Sequence, residues 1–287
     1  MAIPTDYIFQ SGTVAKSGIF DLIVSKLVAA GWTSVASLAS SDGTVLKSAG
    51  NTGDQALVLN IRDTNASNAN SVKTTAYCTI SYRLQDTYTP GAAGVAGTFG
   101  RSALAWSALD IVPTTQTTGT LPMDTTINYK VYADASKIIL AMEYPYATNL
   151  GPMLIYMGLP DSLYCTEGAS RGVLFGTTAN GPGANTISIC NTPSGLGTVT
   201  ATYTVSTYAT ISPKNPNNAG KYAVSHIYYG SATEGVRGKL DGIYALPLGN
   251  LVTGDTITIG AKKYYALVCQ SQGYNSFQSL ALAVRTE

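Results

Sequence analysis

Charge is scarce in this chain. Of its 287 residues only 11% are Asp, Glu, Lys or Arg, against about a quarter in an ordinary soluble domain. The formal net charge is +1. With no basic surplus to displace counterions from a phosphate backbone, nucleic-acid binding is disfavoured. Histidine occurs once, as His226, and the four cysteines, Cys78, Cys165, Cys190 and Cys269, include no Cys-x-x-Cys pair. Zinc sites of the usual spacing are thereby excluded. The cysteines sit in apolar runs such as AYCTI and LVCQ. They read as reduced core thiols, which suits folding in a reducing cytoplasm. No apolar stretch reaches the length of a membrane span, so membrane insertion is not expected. The opening MAIPTDYIFQ lacks the basic start and apolar run of a secretory signal. The sequon at Asn65-Ala66-Ser67 then reads as coincidence.

Catalytic groups are equally thin. A Ser-His-Asp or Cys-His site would have to use His226, which lies in the alternating run YAVSHIYY and shares a face with Tyr222, Val224 and Tyr228. A histidine so placed reads as a core or interface residue. No Gly-x-Ser-x-Gly elbow is present. Glycoside cleavage would need two facing carboxylates, and Glu143, Asp161, Glu167, Glu234, Asp241 and Asp255 are available. Asp241 and Asp255 read as turn residues that bond their own backbone. The others read as solvated loop groups. With no calcium loop and no His/carboxylate cluster, no metal, no cofactor and no enzymatic activity are expected.

What the chain has in quantity is material for strands. Hydrophobic residues make up 45%, enough for a sizeable core, and Tyr outnumbers Phe 19 to 5. Tyrosine suits half-buried strands and interfaces, where one end is apolar and the other wet; the alternative use of such rings is as platforms for sugars. Alternation predicts strands over 76–84, 199–205 and 222–228. Apolar runs predict others at 55–62, 126–133, 137–144, 153–158, 256–260, 263–270 and 279–285. The punctuation is of hairpin type, including Asp42-Gly43, Asp241-Gly242 and Gly254-Asp255. One helix is expected over 17–30. Ile19, Leu22, Ile23 and Leu27 fall on one face, Phe20, Val24 and Val28 widen it, Lys26 keeps an edge wet, Ser17 caps the start, and Gly31 stops it ahead of Trp32. The fold class is therefore mainly β, in sandwich or barrel domains, with one N-terminal α-helix packed on a sheet. Two domains are expected. Residues 1–168 hold the helix, a Gly-rich arm (88–101) and a Thr-rich loop (112–122); residues 169–287 are all β. A polar turn region is expected at 212–221.

The arm reads YTPGAAGVAGTFGR, with Gly91, Gly94, Gly97 and Gly100 at every third position. Three triplets without X/Y prolines cannot make a triple helix. The Lys-Ser/Thr end of a phosphate loop and the Gly-x-Gly of a dinucleotide loop are both missing. Small residues allow close backbone approach. These four glycines are therefore expected to form a contact arm laid on an adjacent subunit.

The stretches FQSGTVAKSGIFDLIVSKLVAAGWTSVAS, SDGTVLKSAGNTGDQALVLNIRD and RLQDTYTPGAAGVAGTFGR resemble tailed-bacteriophage virion proteins of the tail and baseplate type. So do residues 235–267 and 275–287. The resemblance covers about half the chain in patches and carries no catalytic residues. It implies a non-enzymatic, multicopy tail, baseplate or neck protein, assembled in the host cytoplasm and located in the virion. Its partners would be copies of itself and other virion proteins. The alternatives are a carbohydrate- or receptor-binding module at the virion surface, with host glycans as partners, a decoration protein of the capsid exterior, and, last, a glycan hydrolase.

Overall fold

The computed structural model describes residues 7–36, 44–48, 57–64, 79–85, 88–92, 95, 97–99, 107–110, 124–143, 153–162, 173–176, 204–206, 221, 224–231, 235–247, 251–268 and 280–286. The first part of the chain forms β1 (Tyr7–Ala15), a 3-10 turn (Lys16–Gly18), α1 (Ile19–Ala29), β2 (Thr33–Ala36), β3 (Thr44–Ser48) and β4 (Leu57–Thr64). β5 (Thr79–Gln85), β6 (Tyr88–Thr89), β7 (Thr98–Phe99) and β8 (Ser107–Asp110) follow. The middle supplies β9 (Thr126–Asp134), β10 (Lys137–Glu143), β11 (Met153–Gly158), β12 (Asp161–Ser162), β13 (Val173–Gly176) and β14 (Thr204–Ser206). The last part supplies β15 (Ser225–Ser231), β16 (Gly235–Pro247), β17 (Thr256–Ile259), β18 (Lys262–Val268) and β19 (Leu280–Arg285). The protein is thus mainly β with one short helix, as its alternation and turn chemistry predict.

All strand pairings among the described residues are antiparallel. A central sheet runs in the order β1-β9-β10-β11-β13, an N-terminal sheet β2-β3-β4-β5-β8, and a C-terminal sheet β14-β15-β16-β19-β18-β17, with β12 joined to β16. The central sheet packs against a core on each of its faces. One face brings Ile127, Val131, Leu140 and Ile155 against α1 and against Leu46, Leu57, Leu59 and Ile61 of the N-terminal sheet. The other face sets Tyr132, Ile139, Leu154 and Tyr156 against Ile227, Ile243, Leu267 and Leu282 of the C-terminal sheet. Double burial explains why β10 and β11 (KIILAME, MLIYMG) read as continuous apolar runs and not as alternation. Pairing crosses the expected boundary at 168/169: β13 extends the central sheet beside β11, and β12 pairs with β16. The two halves of the chain share sheets.

The helix buries Ile19, Leu22, Ile23 and Leu27. An isolated helix of 11 residues is marginal, since about 12–15 residues are needed even for strong formers. Each of these side chains contributes about 1.5–3 kcal/mol on burial, so packing decides that the helix forms. Phe20 and Val24 widen the face as expected, but Val28 does not: it is 46% exposed. Ser17 is not the cap. The chain enters through the 3-10 turn, and Gly18 holds the N-cap position without a side-chain cap bond. The C-terminus is a Schellman motif. Gly31 N–H donates to Val28 O and Trp32 N–H to Leu27 O, both at 3.0 Å, with Gly31 at φ +95. Lys26 is half-buried and donates to Gln10 Oε1 on β1.

Asp241-Gly242 is not a hairpin turn. A step of two residues along β15 (His226 to Tyr228) matches a step of five along β16 (Tyr244 to Lys239), so the pair sits in a mid-strand bulge. The Gly242 φ of +88 is real, but it serves the bulge and not a chain reversal. Asp255 does close a turn, accepting from Val252 N–H at 2.9 Å beside Gly254 at φ +108.

Candidate functional site

Three sheets and the helix connection converge on the short turn between β9 and β10. Asp134, fully buried, organises it. Its Oδ1 accepts from Ser136 N–H (2.8 Å), Ser136 Oγ (2.6 Å) and Lys137 N–H (3.0 Å), and its Oδ2 accepts from Tyr132 Oη (2.9 Å). Trp32 Nε1–H donates to Asp134 O at 3.0 Å, and Ser48 Oγ donates to Ala135 O. Leu159 N–H reaches Ser136 O at 2.9 Å. The Lys137 ammonium lies 3.4 Å from Asp134 Oδ2 and 3.1 Å from Asp241 Oδ2, which the β16 bulge delivers from the C-terminal sheet. Arg285, also buried, places its guanidinium carbon 4.9 Å from the Tyr132 ring centroid, and Tyr7 stacks on Tyr132 at 5.7 Å.

The electrostatics of this junction favour fixed charges. Burial alone would raise the Asp241 carboxyl, but the Lys137 charge and hydrogen bond hold it below its ordinary value. It therefore stays ionised near neutrality and has no proton to give as an acid. Burial, and then the Asp134 charge, push the Tyr132 phenol well above its usual range, so it remains a donor. Two carboxylates share one ammonium here, and the donors around Asp134 occupy both of its oxygens. The arrangement suits a structural clasp.

A second polar contact lies at the far end of β10. Tyr265 Oη donates to Glu143 Oε1, and Lys130 Nζ stands 4.3 Å above the Tyr265 ring. Burial raises the Glu143 carboxyl, with Lys130 opposing in part. Glu143, the carboxylate expected to end its strand in solvent, is instead half-buried against the C-terminal sheet.

The outer face of the C-terminal sheet carries a row of rings. His226 lies 4.9 Å from Tyr244 and 6.0 Å from Tyr228, and Tyr244 meets Tyr264 edge-on at 5.3 Å. Tyr244 and Tyr264 belong to strands that do not pair. Their rings meet across β19 because the residue between them there, opposite Tyr244, is Ala283 with only a methyl group. Burial and the bond to Tyr244 raise the Tyr264 phenol. His226 thus stands in an aromatic row, half-exposed, with Tyr228 and Tyr244 half-exposed beside it.

The Gly-rich segment folds back on itself. β6 pairs with β7, with Tyr88 opposite Phe99 and Thr89 opposite Thr98, and Val95 N–H donates to Ala92 O at 2.8 Å near the tip. Gly97 is needed where it stands: a Cβ there would lie 2.3 Å from the Tyr88 ring, which covers it. Gly91 is exposed at the turn. Gly94 and Gly100 lie outside the described residues, as do the loop 112–122, residues 212–220, Glu167, Glu234 and all four cysteines. Asp161 lies on β12 beside Lys239. Among the described residues no group of three His, Cys, Asp or Glu side chains could hold a metal, and no helix is long and apolar enough to cross a membrane.

The junction around Asp134 was not expected from sequence. Its local signal is Asp-x-Ser followed by a lysine that opens an apolar strand, an Asx-type turn between β9 and β10. Its partners Asp241 and Arg285 carry no such signal. No protein-family model matches the chain, and no curated protein matches it.

Proposed function

We propose that the chain is a non-enzymatic structural component of a tailed-phage virion, a multicopy tail, baseplate or neck protein that acts through its subunit interfaces. The observation that carries this reading is the poverty of surface charge. The sequence has 17 Lys and Arg and 16 Asp and Glu. Among the described residues, Lys16, Asp134, Lys137 and Arg285 are withdrawn into the interior. A free-standing soluble protein keeps copies apart with a well-charged surface; a subunit gripped on several sides avoids the cost of desolvating ions at each contact. Exposed Tyr7, Phe9, Val28, Val95, Val224 and Val252 are spread over β1, the helix, the β6–β7 hairpin and the segments that lead into β15 and β17. That distribution suits contacts on more than one face. The host cytoplasm is the place of assembly in this reading, and the virion the final location. Mass spectrometry of purified particles from the producing cells tests it: abundant peptides of this chain support it, and their absence overturns it.

A second reading has a specific observation in its favour. His226, Tyr228 and Tyr244 form a half-exposed aromatic row of the type that stacks on sugar rings. A glycan array probed with the wild-type chain and with Tyr228→Ala and Tyr244→Ala tests surface glycan binding. Hits lost in both variants support it; an array without hits removes it.

A further inference from the structure

Among the described residues, the central sheet ends at β1. β1 pairs with β9 over nine residues without a register shift, and among the described residues nothing pairs with its other side. Such an edge displays a row of free N–H and C=O groups, and proteins ordinarily blunt it with lysine, proline, a bulge or a very short strand. β1 (YIFQSGTVA) has no charge, no proline and no bulge. Its residues from Gln10 to Thr13 are exposed, and Tyr7 and Phe9 are 40% and 37% exposed. Inward from β1, the strands β9, β10 and β11 send side chains into a core on each face of the sheet.

We infer that β1 is a strand-addition site whose occupant is β1 of a second copy, paired antiparallel about a two-fold axis at Ser11. The inference rests on the assembly reading above and gives it one interface. Three features select a second copy. A strand paired with itself sets identical residues near one another, and an uncharged strand incurs no like-charge repulsion in doing so. Side chains on opposite faces of a strand cannot face each other across a ladder, so the axis must pass at a residue. With the axis at Ser11, three pairs of the ladder set a large side chain against a smaller one, and Ile8 meets Val14. Tyr7 stands opposite Ala15, Phe9 opposite Thr13, and Gln10 opposite Gly12 of the copy. Gly12 gives its place on that face to the Tyr129 side chain, whose hydroxyl lies 3.0 Å from where a Cβ would sit.

The test uses the full chain. Wild type and the double variant Ser11→Lys/Thr13→Lys are compared by sedimentation velocity over a concentration series, with circular dichroism to verify the fold. Both substitutions are at exposed positions. A third variant, Ser11→Cys, is oxidised, and the linked peptides are identified by mass spectrometry, with exposed Ala29→Cys on the helix as control. The expected result is a wild-type dimer or larger species, loss of that species in the lysine variant with an unchanged spectrum, and an 11-to-11 linkage in Ser11→Cys with no 29-to-29 linkage in the control. A wild-type oligomer that persists in the lysine variant and gives no 11-to-11 linkage overturns the strand pairing while leaving the assembly reading in place. A wild-type chain that stays monomeric at every concentration also overturns the strand pairing; the assembly reading falls only if its peptides are missing from purified particles.

Discussion

The Lys137 ammonium, 3% exposed, stands 3.1 Å from the Asp241 carboxylate, 104 residues further along the chain. It also faces Asp134 at 3.4 Å. This clasp ties the central sheet to the C-terminal sheet at the point where the Trp32 and Ser48 side chains arrive from the other side of the chain.

Lys137→Met therefore leaves two carboxylates near each other without their cation. Breaking one partner of a buried pair costs about 3–5 kcal/mol. Urea denaturation of the variant is expected to show a loss in that range. A loss below about 1 kcal/mol would mean that water already screens the pair.

The Asp241 contribution has a defined pH window. Its folded value is depressed below the ordinary 3.8. The stability it supplies is present above the ordinary carboxylate range and is lost as pH falls through the lower folded value. Asp241→Asn is expected to flatten the acid limb of a plot of melting temperature against pH. An acid limb identical to wild type contradicts the assignment.

Glu143 works in the opposite direction. Its folded value is raised above 4.5 by burial. Its proton favours the folded state below that value, and this advantage is lost as pH rises through the folded value. Glu143→Gln, which keeps a partner for Tyr265, is expected to remove that decline on the mildly acidic side of neutrality. Melting curves at closely spaced pH values check it, and an unaltered decline in the variant refutes it.

How much of this was legible in the sequence differs by element. The α1 face of Ile19, Leu22, Ile23 and Leu27 was readable because helical periodicity is local and its burial is one-sided. The Ser17 cap was misplaced because a 3-10 turn precedes the helix and shifts its start to Gly18. The runs of β10 and β11 were legible as strands, and their double burial follows from the same composition. β1 was not read as a strand: YIFQSGTVA mixes polar and apolar residues because most of it faces solvent at an edge. The middle of β16 was read as a turn because Asp-Gly marks positive φ equally in hairpins and bulges. The junction was invisible because Asp134, Lys137, Asp241 and Arg285 are brought together only by the stacking of two sheets.

Backbone conformation gives a further expectation. Gly31 has open space for a side chain, so Gly31→Ala meets only the left-handed penalty of about 1–2 kcal/mol. At Gly158, φ +138, a Cβ would lie 2.2 Å from Ser136 O, against the turn that forms the clasp. Gly158→Ala is expected to destabilise more than Gly31→Ala in the same denaturation assay. Equal losses would mean that the turn yields freely.

The hairpin tip gives a test of contact without fold. Val95 is 59% exposed, and a surface substitution there should change stability by no more than about 0.5 kcal/mol. Val95→Lys is expected to leave the melting temperature in place while lowering incorporation into particles. Normal incorporation would remove the hairpin from the set of subunit contacts.

Whether the chain works as a repeated, interlocked subunit, as proposed, is read from its copy number in purified particles. Quantitative mass spectrometry against the other particle proteins is expected to give several copies per particle, in a ratio set by a closed symmetry. A chain missing from the particles, or recovered as a free monomer that turns over a substrate, would contradict it.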